Sequence, residues 1–217
     1  MSKLWIFGDS FSASNNRVNI ESWRRKYIKW KGYTPKVWPE FLNEMIDVKL
    51  INLAISATDN YTIFDTIIDN IDKIEPTDIV IIGWTSTLRF RLIDRNNNFN
   101  TIRPHHLLGK STLDSSFEYK NISLNTINEM IVNRDSELFE YELNRFIKII
   151  NLYLNNIKII HWSPFQHNHP YLKIVNIDGL DSFETISMET NNEVIDYHYS
   201  ENAHSELSKK IYNILYE

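Results

Sequence analysis

Four short apolar runs punctuate the chain: Leu4 to Phe7, Val48 to Leu53, Ile79 to Gly83 and Ile157 to His161. Each has strand length, β-branched or aromatic content and a polar or turn-like stretch behind it, so each reads as a buried parallel strand. Between them lie helical patterns. Trp38 to Ile46 opens with Pro39 in its first turn, Tyr61 to Ile74 follows, and Glu137 to Leu154 places Leu138, Tyr141, Phe146, Ile149 and Ile150 roughly on one face. A closing helix is expected over Ala203 to Tyr216, where Leu207, Ile211 and Leu215 recur at helical spacing. The order β-α-β-α-β, an insertion, then α-β predicts an α/β fold with a parallel sheet covered by helices on both faces. Ligands of such folds bind in the crevice at the carboxyl ends of the strands.

Two segments break the alternation. Residues 12 to 37 form a long polar and aromatic connection, and a loop-rich insertion at about 85 to 135 holds much Asn, Ser and Thr. Long loops in compact domains act as lids or binding loops, or else are partly disordered. With 217 residues, no repeat and no linker, residues 1 to 217 are expected to form one domain. Composition narrows the choice of partner and of chemistry. A net charge of −5 repels phosphate backbones, which argues against nucleic acid. The absence of Cys removes disulfides, thiolate metal sites and Cys nucleophiles, leaving Ser, His and carboxylates. Met1 to Ile6 runs directly into a strand without a signal-peptide pattern, and no apolar stretch has the length of a membrane span. A soluble protein, cytoplasmic or virus-encoded, with no membrane partner is expected; oligomeric state leaves no trace in the sequence.

The first strand ends in Gly8-Asp9-Ser10, which puts an acid and a hydroxyl at its carboxyl end. Taken alone, the tripeptide also describes a turn closing a strand, since all three residues favour turns and caps. A serine hydroxyl becomes a useful nucleophile beside a neutral imidazole whose tautomer is held by a carboxylate. The stretch Asp196-Tyr197-His198-Tyr199-Ser200-Glu201-Asn202-Ala203-His204 supplies both groups just before the closing helix.

With these blocks in order, the chain resembles the SGNH/GDSL hydrolase family. That resemblance implies a flavodoxin-like three-layer α/β/α fold, with Ser10 as nucleophile. The family's second block resembles Asn52-Leu53-Ala54-Ile55-Ser56-Ala57, its third falls at Gly83-Trp84-Thr85-Ser86-Thr87, and its last resembles Asp196 to His204. Trp84-Thr85-Ser86 followed by Arg89 is similar to a variant of virus-encoded and environmental members. The resemblance makes His198 the base, oriented by Asp196, with His204 packing or capping the last helix. It gives the oxyanion the backbone N–H of Ser10 and of Ala57, which stands where the family carries Gly. Ser86 stands in for the family's third-block Asn as side-chain donor, and Asp9 and Thr87 complete the expected oxyanion and substrate-binding set. An Ala held at positive φ costs about 1 kcal/mol or more, and losing one oxyanion donor costs roughly 10²–10³ in rate.

The implied activity is ester hydrolysis through an acyl-enzyme on small acetyl esters. The polar, aromatic loops favour a carbohydrate ester, and no cofactor is required. A non-catalytic carbohydrate-binding or structural module on the same fold, and an O-acyltransferase using the same triad, are the alternatives. Other polar clusters have plainer readings. Arg24 to Lys31 mixes cations with aromatics as a solvated loop does. His167 and His169 lack a third ligand at metal-binding spacing, so no metal is expected. His161, at the end of its strand, is a candidate cleft residue.

Overall fold

The computed structural model describes residues 2–14, 28, 32–34, 36–93, 96–97, 99–102, 126, 129, 133, 136–164 and 201–216. The strands are β1 (Lys3–Gly8), β2 (Lys49–Asn52), β3 (Ile79–Gly83), β4 (Phe90–Ile93), β5 (Phe99–Ile102) and β6 (Lys158–Trp162). The helices among the described residues include α1 (Trp38–Ile46), α2 (Asn60–Ile68), α3 (Ser136–Tyr153) and α4 (Glu201–Tyr216). Four strands form a parallel sheet in the order β2-β1-β3-β6. Alternation along β1 and β3 sends side chains to opposite faces. Trp5, Phe7, Val80 and Ile82 pack with Ile63 and Ile67 of α2 and Leu143, Ile147 and Ile150 of α3. Leu4, Ile6 and Ile81 pack with Trp38 and Leu42 of α1 and Leu207, Ile211 and Leu215 of α4. The result is the three-layer α/β/α architecture expected from the sequence.

Local chemistry sets the helix ends. Glu40 Oε2 accepts the Val37 N–H at 3.1 Å, Pro39 occupies the first turn of α1, and Asp47 closes it at φ 49°. Asp59 caps α2 by accepting the Thr62 N–H at 2.9 Å. Helix α2 stops at Ile68 and a 3-10 turn covers Ile71–Lys73, so the expected single helix to Ile74 is two pieces. On α3 the buried positions are Leu143, Ile147 and Ile150, while Leu138 and Tyr141 are exposed. The latter two are expected on the inner face from the sequence; the 3.6-residue period from Leu143 carries them to the opposite side. Within the 85–135 segment, β4 and β5 pair antiparallel, a hairpin that its Asn-rich composition does not announce.

The chain leaves β1 towards β2 on one side and crosses to β3 on the other, so the strand order reverses between β1 and β3. A crevice opens at such a reversal, outside the carboxyl ends of the two strands. Gly8 pairs with Gly83 at this edge. A Cβ on Gly83 would lie 2.8 Å from Ser12 Oγ and 2.9 Å from Trp162 Nε1, so the close fit of the Ser10 turn requires glycine there.

Candidate active site

Ser10 lies two residues beyond β1, in a tight turn whose geometry Asp9 dictates. The Asp9 carbonyl accepts the N–H groups of Ser12 and Ala13, both at 3.0 Å, and its Oδ1 accepts the Phe11 N–H at 3.0 Å. Ser10 is 8% exposed. Asp9 is buried, and its carboxylate turns inward to donors of the fold: Oδ2 accepts Thr85 Oγ1–H at 2.7 Å and pairs with Arg89 Nη1 at 3.2 Å.

The loop after β2 continues the sheet ladder past the strand, with Leu53 N–H on Ile6 O and Ile55 N–H on Gly8 O, both 2.8 Å. Asn52 ties this loop to the Ser10 turn. Its Nδ2 donates to Ser12 O at 2.8 Å and its Oδ1 accepts the Ala54 N–H at 3.0 Å. Ala57 follows at φ 66°, in the left-handed region. A Cβ makes that conformation costly. Ala57→Gly is therefore expected to raise unfolding free energy by roughly 0.5–1 kcal/mol, the relief of strain exceeding the extra chain entropy of Gly. Urea unfolding of the two proteins checks this; an unchanged or lower midpoint would contradict a strained Ala57.

The third loop leaves β3 at Thr85, and Asn60 grips its backbone from both sides. Asn60 Oδ1 accepts the Thr85 N–H at 2.9 Å and its Nδ2 donates to Thr85 O at 3.0 Å. Ser86 Oγ accepts the Leu88 N–H at 3.2 Å, and Thr87 is buried beside it. The loops after three strands are thus laced together: Asn52 joins the second to the Ser10 turn, and Thr85 and Arg89 join the third to Asp9 and to Thr58 O. Asp196 and His198 lie outside the described residues. His204 is buried on the inner face of α4 with Ala203, Leu207 and Ile211. At the start of that helix, Glu201 accepts Tyr33 Oη–H at 2.6 Å and the Lys36 N–H at 3.0 Å. Sequence reasoning passed over Asn60, Thr85 and Arg89 as clamps. The acid at the end of the first apolar strand was the available signal, since a carboxylate that becomes buried there requires donors.

His161, a cleft candidate by sequence, packs instead beneath α3, stacked on Trp84 with ring centroids 6.1 Å apart. Trp84 Nε1 is a donor only, so His161 Nδ1 at 3.1 Å accepts, and Nε2–H donates to Asn151 Oδ1 at 2.9 Å. Burial pushes its pKa down from 6.5 to about 4. The unfolded chain binds this proton more readily than the folded one, so the stabilisation is complete above pH 6.5 and is lost as pH falls towards 4. The expected loss across that window is about 3 kcal/mol. Urea titrations of wild type and His161→Gln at pH 7, 5.5 and 4.5 read it; equal slopes against pH would assign the loss to other groups.

Among the described residues, no group of three or more His, Asp or Glu gathers as metal ligands, and no helix is long and apolar enough to cross a membrane. No family model matches the chain, and no curated protein matches it. Among solved structures, the chain is similar to a member of the lipolytic protein G-D-S-L family from Veillonella parvula, at 12% identity over 99% of this chain and 98% of that one, TM-score 0.44. It is also similar to the lipase Lip_vut3 from a goat rumen metagenome, at 10% identity over 98% and 97%, TM-score 0.46. A third is the psychrotrophic esterase EstA from Pseudoalteromonas sp., at 16% identity over 98% and 96%, TM-score 0.40.

Proposed function

We propose that the protein is a serine-dependent ester hydrolase that works through an acyl-enzyme. The observation that carries this reading is the meeting of three strand-end loops at the β1/β3 reversal, with Ser10 in the first and the left-handed Ala57 in the second. Ser10 Oγ attacks the ester carbonyl, His198 takes its proton and returns it to the leaving alcohol, and Asp196 holds His198 in the required tautomer. Water then repeats the sequence on the acyl-enzyme, with His198 again as base. The N–H groups of Ser10 and Ala57 stabilise the tetrahedral oxyanion.

Ser86 adds a third donor in this reading. Its oxygen accepts from Leu88 N–H, so its hydroxyl proton is the part that serves an oxyanion. Ser86→Ala is expected to lower kcat about tenfold or more with KM little changed, as for a donor acting on the transition state. A raised KM with unchanged kcat would make Ser86 a substrate-binding residue instead. The substrate class inferred is a small acetyl ester, with a carbohydrate as the alcohol part, on the strength of the polar and aromatic composition of residues 12 to 37 and 85 to 135. Incubation with a fluorophosphonate probe, followed by peptide mass mapping, tests the reading directly. Label on Ser10, together with turnover of p-nitrophenyl acetate, supports it. No label on any serine and no turnover would favour a binding module on the same fold, a reading that the strained Ala57 in place of a glycine already offers.

A further inference from the structure

We propose that Arg89 is a positioning residue for the oxyanion-binding loop, clamping the exit of the left-handed Ala57 turn onto the buried carboxylate of Asp9. The proposal rests on the serine-hydrolase reading above. Arg89 Nη1 donates to Thr58 O at 3.1 Å and to Asp9 Oδ2 at 3.2 Å, so a single nitrogen joins the second loop to the Ser10 turn. Asp9 is 1% exposed at its side chain and Arg89 14%, so the pair is shielded from competing water and salt. The same carboxylate takes Thr85 Oγ1–H and the Phe11 N–H, which extends the link to the third loop and to the turn that carries Ser10.

The geometry of Ala57 gives this clamp its purpose. A non-glycine residue stays in the left-handed region only where its surroundings hold both ends of the turn. The entry is held by Ala54 N–H on Asn52 and by Ile55 N–H on Gly8 O. The exit is held by Arg89 on Thr58 O and, one residue further, by Asp59 capping α2. Without the Arg89 contact, Ala57 relaxes towards negative φ and its N–H swings away from the position an oxyanion would occupy. A glycine in place of Ala57 adopts positive φ unaided, so it should depend far less on Arg89.

The test is a double-mutant cycle on p-nitrophenyl acetate, with the rate of fluorophosphonate labelling of Ser10 as a second readout. Arg89→Met is expected to lower kcat and the labelling rate by about 10- to 100-fold, the scale of a misplaced oxyanion donor, with KM within about twofold. Arg89→Lys, which keeps the charge on a shorter donor, should fall between Met and wild type. In the Ala57→Gly background the loss from Arg89→Met should shrink to a few-fold. Should Arg89→Met fail to fold, Arg89→Lys in both backgrounds carries the comparison. A purely structural Arg89 would lower the melting temperature while leaving kcat unchanged well below it. That result, or equal losses in the wild-type and Ala57→Gly backgrounds, overturns the positioning role while leaving Ser10 labelled and the hydrolase reading intact. Wild-type protein that neither labels at Ser10 nor turns over ester overturns both.

Discussion

Ser10→Ala is expected to lower kcat on a small acetyl ester by about 10⁴- to 10⁶-fold, the range for loss of a triad nucleophile. Its effect on stability should stay within about 1 kcal/mol. In the turn around Ser10, Phe11, Ser12 and Ala13 all donate backbone N–H groups to Asp9, and Asn52 Nδ2 donates to Ser12 O. None of these needs the Ser10 hydroxyl. An inactive variant that unfolds at the wild-type urea concentration therefore identifies a chemical role. Turnover equal to wild type would remove Ser10 from the mechanism, whatever the fold resembles.

The second large effect concerns the base. With His198 as the proposed base, His198→Ala is expected to lose about 10³-fold or more in kcat, because the group proposed to take the Ser10 proton is removed. Asp196→Asn should approach the same loss by leaving the imidazole in the wrong tautomer. His204→Ala should behave differently. His204 sits among Ala203, Leu207 and Ser208 on the buried face of α4, which packs with Trp38 and Leu42 of α1. Truncating it there opens a small cavity, with an expected loss of about 1–3 kcal/mol in stability and kcat within a few-fold for the protein that remains folded. Steady-state kinetics and urea unfolding on the three variants separate the roles. If His204→Ala proved inactive and His198→Ala active, the working block would be Glu201 to His204 and Asp196 a bystander.

Short continuous apolar runs made the four core strands legible along the chain. Helical spacing did the same for α1 and for the Leu207, Ile211 and Leu215 stripe of α4, because both periods are local properties of the backbone. The position of Ser10 at a strand end followed from the same reading. The misplaced Leu138 and Tyr141 show where it weakens: an α3 rich in apolar residues offers more than one stripe, and only packing against β3 and β6 selects Leu143, Ile147 and Ile150. The pairing of β4 with β5 was likewise decided by contacts and not by composition. The site depended on tertiary structure most of all. Asp9 meets Thr85 and Arg89 across 76 and 80 residues, and Asn60 meets Thr85 across 25. Hydrogen bonds between loops so far apart impose no spacing on the sequence. Each requires only a donor and an acceptor that the sheet order brings together, and that order, β2-β1-β3-β6, is a property of the folded sheet.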